Sequence, residues 1–226
     1  MNKIGMLVAV EVNAVLTKYG DPVRCEKHGS FDVRIYEKNG KEIIVIASGA
    51  GEIAAAAASQ LLISLYHADM IVNFGLVGGL TEETIRNKNC VVTKVVHYDF
   101  DTSGIDPVKP CQYEVFPDEY IPVDQELVRK AMQAAPELRP VICASGDKFI
   151  TDPAQKEKLQ ADFGAEICEM EAAAIALTAW RNGVPALFIK IVSDGLFDDP
   201  QVYYKVKKEA SERCFEIVDL LLGDTL

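Results

Sequence analysis

The sequence predicts a three-layer α/β/α fold, with a mixed central sheet covered by helices on both faces. Three observations predict it. Apolar runs of strand length alternate with longer helical segments along the whole chain, and such alternation builds a mostly parallel or mixed sheet with helices on either side. Some runs, Ala186–Ser193 above all, are almost continuously apolar, as strands buried on both faces are. No linker, internal repeat or low-complexity tract interrupts the pattern, apart from one alanine run.

Taken in order, Ile4–Val10 reads as a buried strand and Val12–Lys18 as the first helix. Phe31–Glu37 and Lys41–Ser48 flank Asn39-Gly40, a strong hairpin signal because both residues tolerate positive φ. Ser48-Gly49-Ala50-Gly51 opens a long helix, Glu52–His67, whose run Ala54–Ala58 lets it lie close to the sheet. Met70–Phe74 is a buried strand closed by Gly75, Gly78 and Gly79. Val91–Val96 is the next, followed by a polar, proline-containing excursion from Asp99 to Pro122. Asp124 caps a helix running to Ala134, since a carboxylate there accepts from free backbone N–H groups. Val141–Ser145 is a strand, and Asp152-Pro153 starts a helix with Asp at the N-cap and Pro in the first turn. Helix Met170–Arg181, strand Ala186–Ser193 and helix Gln201–Leu222 complete the set.

The 226 residues, 49% hydrophobic and 25% charged, suit one domain with a sizeable core, so residues 1–226 are expected to form a single domain. The formal net charge of −11 argues against nucleic acid or an anionic membrane as partner, because both require basic patches. A small polar substrate remains open. Met1–Val10 lacks the pattern of a secretion signal, and no apolar run approaches the ~20 residues that span a bilayer. The six cysteines are scattered, with no CxxC and no neighbouring His at ligand spacing. Free thiols in a reducing cytosol are expected, with neither metal nor cofactor.

In folds of this class ligands sit at the carboxyl ends of strands. Gly49-Ala50-Gly51 follows a strand and opens a helix, a place where an anion can sit, but with no third glycine and no Lys a plain strand-to-helix turn explains it better, and Glu52 would repel a phosphate. The glycines of Asn73–Gly79 suit either backbone lying against a ligand or a simple turn. Glu169-Met170-Glu171 precedes an alanine-rich helix. A carboxylate among apolar residues is costly to bury unpartnered yet gains from the helix dipole, and it suits the two hydroxyls of a ribose diol; a solvated helix-end charge is the alternative. Ser193-Asp194-Gly195 ends the buried run, which makes Asp194 either a candidate general acid or base or a turn cap. His28, His67 and His97 show no grouping with Ser or Cys.

Seven blocks in order, KIGMLVAVEVNAV, SGAGEIAAAAASQLL, NFGLVGGL, HYDFD, SGDKFI, EICEMEAAAIA and VPALFIKIVSD, resemble the nucleoside phosphorylase/nucleosidase superfamily. The chain most resembles its bacterial 5′-methylthioadenosine/S-adenosylhomocysteine nucleosidases. The resemblance implies a nucleoside phosphorylase-like fold and hydrolysis of a purine nucleoside by a homodimer in which one subunit closes the other's pocket. It implies that Glu171 holds the ribose diol with Met170 against the sugar, and that Asp194 protonates N7 of the departing base. Phe149 would stack on the base, the Ile150 backbone would read its edge, and Val77 and Gly78 would lie near base and sugar. Glu169 and Lys190 join the expected substrate-binding residues. The chemistry agrees, because glycosidic cleavage builds positive charge on the sugar and negative charge on the base, and two carboxylates in unlike environments serve both.

Three positions depart from the nucleosidase pattern, all expected near the nucleophile. The water-activating Glu aligns with Asn13, the Ser of the glycine turn with Leu76, and the Arg before the final VSD with Lys190. A register shift of two would instead make Glu11 the base. A phosphorylase is a second reading, since Gly20-Asp21-Pro22-Val23-Arg24 spells GDPxR, although it follows the first helix rather than the first strand. A nucleoside-binding protein with little turnover is a third.

Overall fold

The computed structural model describes residues 2–196, Asp198 and residues 201–224. Its elements are β1 (Lys3–Val8), α1 (Val12–Tyr19), β2 (Arg24–His28), β3 (Phe31–Lys38), β4 (Lys41–Ala47), α2 (Glu52–Ser64), β5 (Met70–Gly79) and α3 (Glu82–Arg86). Then follow β6 (Asn89–His97), β7 (Tyr120–Pro122), α4 (Gln125–Ala134), β8 (Arg139–Ser145), α5 (Pro153–Phe163), β9 (Ile167–Glu169), α6 (Ala172–Asn182), β10 (Ala186–Asp194) and α7 (Gln201–Asp224). The result is a mixed sheet flanked by helices, as the alternation predicts.

The continuous apolar runs occupy the middle of the sheet. β1 lies between β4 and β5, parallel to both, and Ile4, Met6, Leu7 and Val8 are buried. β10 is buried along its whole length, between β5, to which it is parallel, and antiparallel β6. The hairpin forms where Asn39 and Gly40 take positive φ (52° and 75°) and Lys38 pairs with Lys41. Asp124 and Asp152 cap α4 and α5, accepting from Leu127 N and Ala154 N. α7 lies on β5 and β10 and receives α1 and α4, while α2 packs on α6.

The sheet does more than the sequence suggested, because part of it closes on itself. β5 does not stop at Phe74 but runs to Gly79, pairing first with β1 and β10 and at its end with β9. From β9 the path returns through β8 and β6 to β10. The closure needs a bare backbone at Gly79, where a Cβ would lie 2.9 Å from both Ile85 and Val192. Gly79 therefore permits close packing within a strand rather than forming a turn, while Gly78 lies at the cavity. β1, in turn, ends at Val8 rather than Val10, so Ala9, Val10 and Glu11 form the turn into α1. β2, α3, β7 and β9 are short and were not anticipated.

Candidate active site

Strand ends and helix starts converge on one cavity of about 420 Å³, within the size range of small-molecule sites. The turn after β1 brings Glu11, β5 brings Leu76, Val77 and Gly78, and the loop after β8 brings Phe149 and Ile150. The β9–α6 junction adds Glu169, Met170 and Glu171, the end of β10 adds Asp194, and α7 adds Tyr203, Tyr204 and Lys207. Eight of the ten expected site residues thus share one cavity. Asn13 and Lys190 do not line it.

Asn13 is exposed on α1. The carboxylate at this junction is Glu11, buried at the N-cap position of α1, where its two oxygens accept from Val10 N (2.9 Å) and Leu76 N (3.5 Å). Of the two positions, the structure therefore brings Glu11 to the cavity and leaves Asn13 on the solvent side of α1.

Lys190 is corrected in a different way. It is 2% exposed and lies behind the cavity wall, donating to Glu169 Oε2 at 2.9 Å. Burial opposes its charge, but Glu169 and Glu171 nearby raise its pKa and keep it an ammonium. Glu169 also accepts from Glu171 N and Ala172 N, closing the first turn of α6. Burial opposes the charge of Glu169, yet Lys190, followed by the hydrogen bonds at its carboxylate, holds it below the ordinary glutamate range.

Glu171 reaches the cavity from the same junction. Its Oε1 accepts from Gly51 N at 2.9 Å; no described protein donor engages Oε2. Burial and the neighbouring Glu169 charge push its pKa up to about 7. Gly51, with φ 103°, is where a side chain would not fit: a Cβ would meet Asp147 Oδ1 at 2.9 Å. Its N–H, and that of Glu52, which donates to Asp147 Oδ1 at 2.8 Å, are already taken by carboxylates. The start of α2 is therefore no phosphate cradle. Arg24 of GDPxR is likewise committed elsewhere, paired with Glu26 at 2.7 Å outside the cavity.

On the opposite flank, both oxygens of Asp194 are held. Ser193 Oγ donates to Oδ1 at 2.9 Å, and Lys156 Nζ donates to Oδ2 at 2.8 Å. Sequence reasoning missed Lys156, Ser145 and Glu52. Glu52 hydrogen-bonds Ser145 Oγ and accepts from Ala174 N, tying α2 to β8 and α6. Burial, then the charge of Glu169, push its pKa up to about 8. A carboxylate heading a helix is commonplace, so nothing in the sequence marked this one as buried. None of the residues of the excursion from Asp99 to Pro122 lines the cavity. It packs on itself, with Phe100 and Tyr113 stacked at 4.0 Å and His97 Nδ1 bonded to Tyr113 Oη.

Glu52 carries a pH signature. Its pKa is raised on folding, so the native state holds a proton that the unfolded chain releases above about pH 4.5. Its favourable contribution is complete below that pH and is lost as pH climbs towards about 8. Relative to the parent, Glu52→Gln is expected to gain thermal stability from about pH 5 to about pH 8, because Gln mimics the protonated acid at every pH. Calorimetric Tm values across that range check this; a constant difference between the two proteins would show that Glu52 does not titrate there.

The cavity thus gathers Glu11 from a strand-to-helix turn, Glu171 from the start of a helix and Asp194 from the end of a buried strand. The chain belongs to the phosphorylase superfamily, whose family model matches residues 3–223. Within it, the chain is 32% identical to the 5′-methylthioadenosine/S-adenosylhomocysteine nucleosidase of Halalkalibacterium halodurans, over 90% of each chain. It is 34% identical to that of Shewanella halifaxensis, over 72% of this chain and 73% of the other. The structure also matches native futalosine hydrolase of Helicobacter pylori with a TM-score of 0.92 at 23% identity, over 99% of this chain and 98% of that one. This last likeness is one of fold.

Proposed function

We propose that this chain, acting as a single domain over residues 1–226, is an N-ribohydrolase that cleaves the glycosidic bond of purine nucleosides of the methylthioadenosine/S-adenosylhomocysteine type. The observation that carries the reading is the meeting of Glu11, Glu171 and Asp194 in one cavity. Glu171, with Oε2 unengaged by described donors, holds the ribose diol, and Met170 packs on the sugar. Phe149 stacks on the base, the Ile150 backbone reads its edge, and Val77 and Gly78 form the floor beneath base and sugar. Asp194 delivers a proton to N7 as the bond to N9 breaks. Glu11 orients the attacking water and takes its proton. Glu169 and Lys190 act from behind, setting the charge around Glu171.

Water rather than phosphate is the acceptor in this reading, since the amides at the start of α2 are bonded to carboxylates. Glu11 in the cavity favours turnover over simple binding. The enzyme works as a cytoplasmic homodimer. Supporting this are the free thiols, five of the six buried, as suits a reducing compartment. Also consistent are the apolar side chains of Ile53, beside the cavity at the start of α2, and Ile105, 84% and 88% exposed. No described helix is long and apolar enough to cross a membrane.

The test is base release from a panel of purine nucleosides with and without inorganic phosphate, combined with sedimentation velocity. Methylthioadenosine is expected to yield adenine and free sugar at a rate indifferent to phosphate, from a species of twice the 24.8 kDa chain mass. Release that requires phosphate would make the chain a phosphorylase. Binding without release would make it a nucleoside-binding protein, and a monomer that turns over would remove the dimer.

A further inference from the structure

Lys156 is the buried cation that the reaction described above leaves without a task. It lies on α5 and is 2% exposed, whereas most of that helix is polar and faces solvent. Burying an ammonium is expensive unless its donors are met. Here two of the three are met at the end of β10, where Nζ donates to Asp194 Oδ2 at 2.8 Å and to the Gly195 carbonyl at 2.6 Å. Asp194 lines the cavity and Lys156 stands just behind it. A Cβ added to Gly78, which lines the cavity, would lie 3.4 Å from Asp194 Oδ2 and 3.6 Å from Lys156 Nζ. With Ser193 on Oδ1, the Asp194 carboxyl is fixed against rotation about its last torsion.

We propose that Lys156 is a positioning residue for the leaving-group acid: it fixes the Asp194 carboxyl and balances the negative charge that remains when its proton passes to the base. This rests on the hydrolase reading. In the step it serves, the C1′–N9 bond breaks and its electron pair passes to the purine, while the Asp194 proton moves to N7. Water oxygen bonds to C1′ and its proton goes to Glu11. The carboxylate left at Asp194 is then within hydrogen-bond distance of a fixed ammonium, in a buried setting where such charge-assisted contacts are strong. An ion pair that merely stapled α5 to β10 would have the same geometry but no preference for one leaving group over another.

The test exploits that difference. Lys156→Met and Lys156→Arg are assayed on methylthioadenosine, whose base needs a proton to leave, and on 4-nitrophenyl β-D-ribofuranoside, whose nitrophenolate leaves without one. Lys156→Met is expected to lower kcat on the nucleoside by ~10²-fold, the scale of general acid work, with little change in KM. On the nitrophenyl riboside kcat should stay within about 3-fold, and Lys156→Arg should recover at least roughly tenfold on the nucleoside.

A comparable fall on both substrates, or on neither, overturns the proposal. Because Met leaves a buried carboxyl without its cation, Lys156→Met is also combined with Asp194→Asn. In that background the Lys156 change is expected to cost nothing further on the nucleoside, and a second loss of similar size would overturn the proposal. If the unaltered protein cleaves neither substrate, the hydrolase reading fails and takes this inference with it; if it cleaves both, only the role of Lys156 is at stake.

Discussion

Asp194→Asn is expected to lower kcat for purine nucleoside hydrolysis by ~10²–10⁴-fold, the range that a positioned general acid contributes, while the protein still folds and binds free adenine. The substitution is close to isosteric. Asn can keep its oxygen on Lys156 and turn its NH2 to Ser193 Oγ, which can accept, so the packing at the end of β10 survives, but an amide has no acidic proton to give N7. Single-turnover base release, with Tm measured alongside to show that the fold is intact, checks the result. A variant that retains most of its activity would remove Asp194 from the mechanism and make it a structural anchor for Lys156.

The second large effect concerns the water. Glu11→Gln is expected to cost ~10²-fold or more in kcat, because Gln can hold a water by hydrogen bonding but cannot take its proton. Substrate binding should change little, since the diol and base contacts lie on other elements. The paired control is Asn13→Ala, which is expected to leave kcat and KM unchanged because Asn13 faces solvent on α1. Steady-state kinetics on one nucleoside separates the two. An inactive Asn13→Ala beside an active Glu11→Gln would return the base to residue 13 and mean that the turn after β1 is arranged differently.

The difference between residues 11 and 13 shows where sequence reasoning reaches its limit. The long strands in the middle of the sheet were legible because burial on both faces leaves an unbroken apolar signal, and the hairpin because Asn-Gly is nearly specific to its turn. The carboxylates at the ends of β9 and β10 were visible as charge set against apolar sequence. What could not be read was where an apolar run stops being a strand. Val10 is apolar but 40% exposed, so the run overstates β1 by two residues, and the path of the turn that follows, which sets where Glu11 points, has no signal of its own.

Buried cations were legible only in part. Lys190 stands out in an apolar strand, but the sequence does not say whether it faces a ligand or the carboxylate of Glu169. Lys156 is hidden among the polar residues of α5, where nothing distinguishes the one lysine that turns inward. The closure of β5 through β9 was also invisible, because it depends on segments far apart in the chain.

That closure bears on how the protein comes to be made. β5 can reach its full pairing only after β10, which emerges late in synthesis, has been added beside it, and α7 must then cover both. Contacts of such long sequence separation slow folding and leave apolar strand edges uncovered meanwhile. A nascent chain would therefore already have Glu11 in hand but no cavity to hold it, and the unfinished ring would be the stage most open to chaperone capture or aggregation.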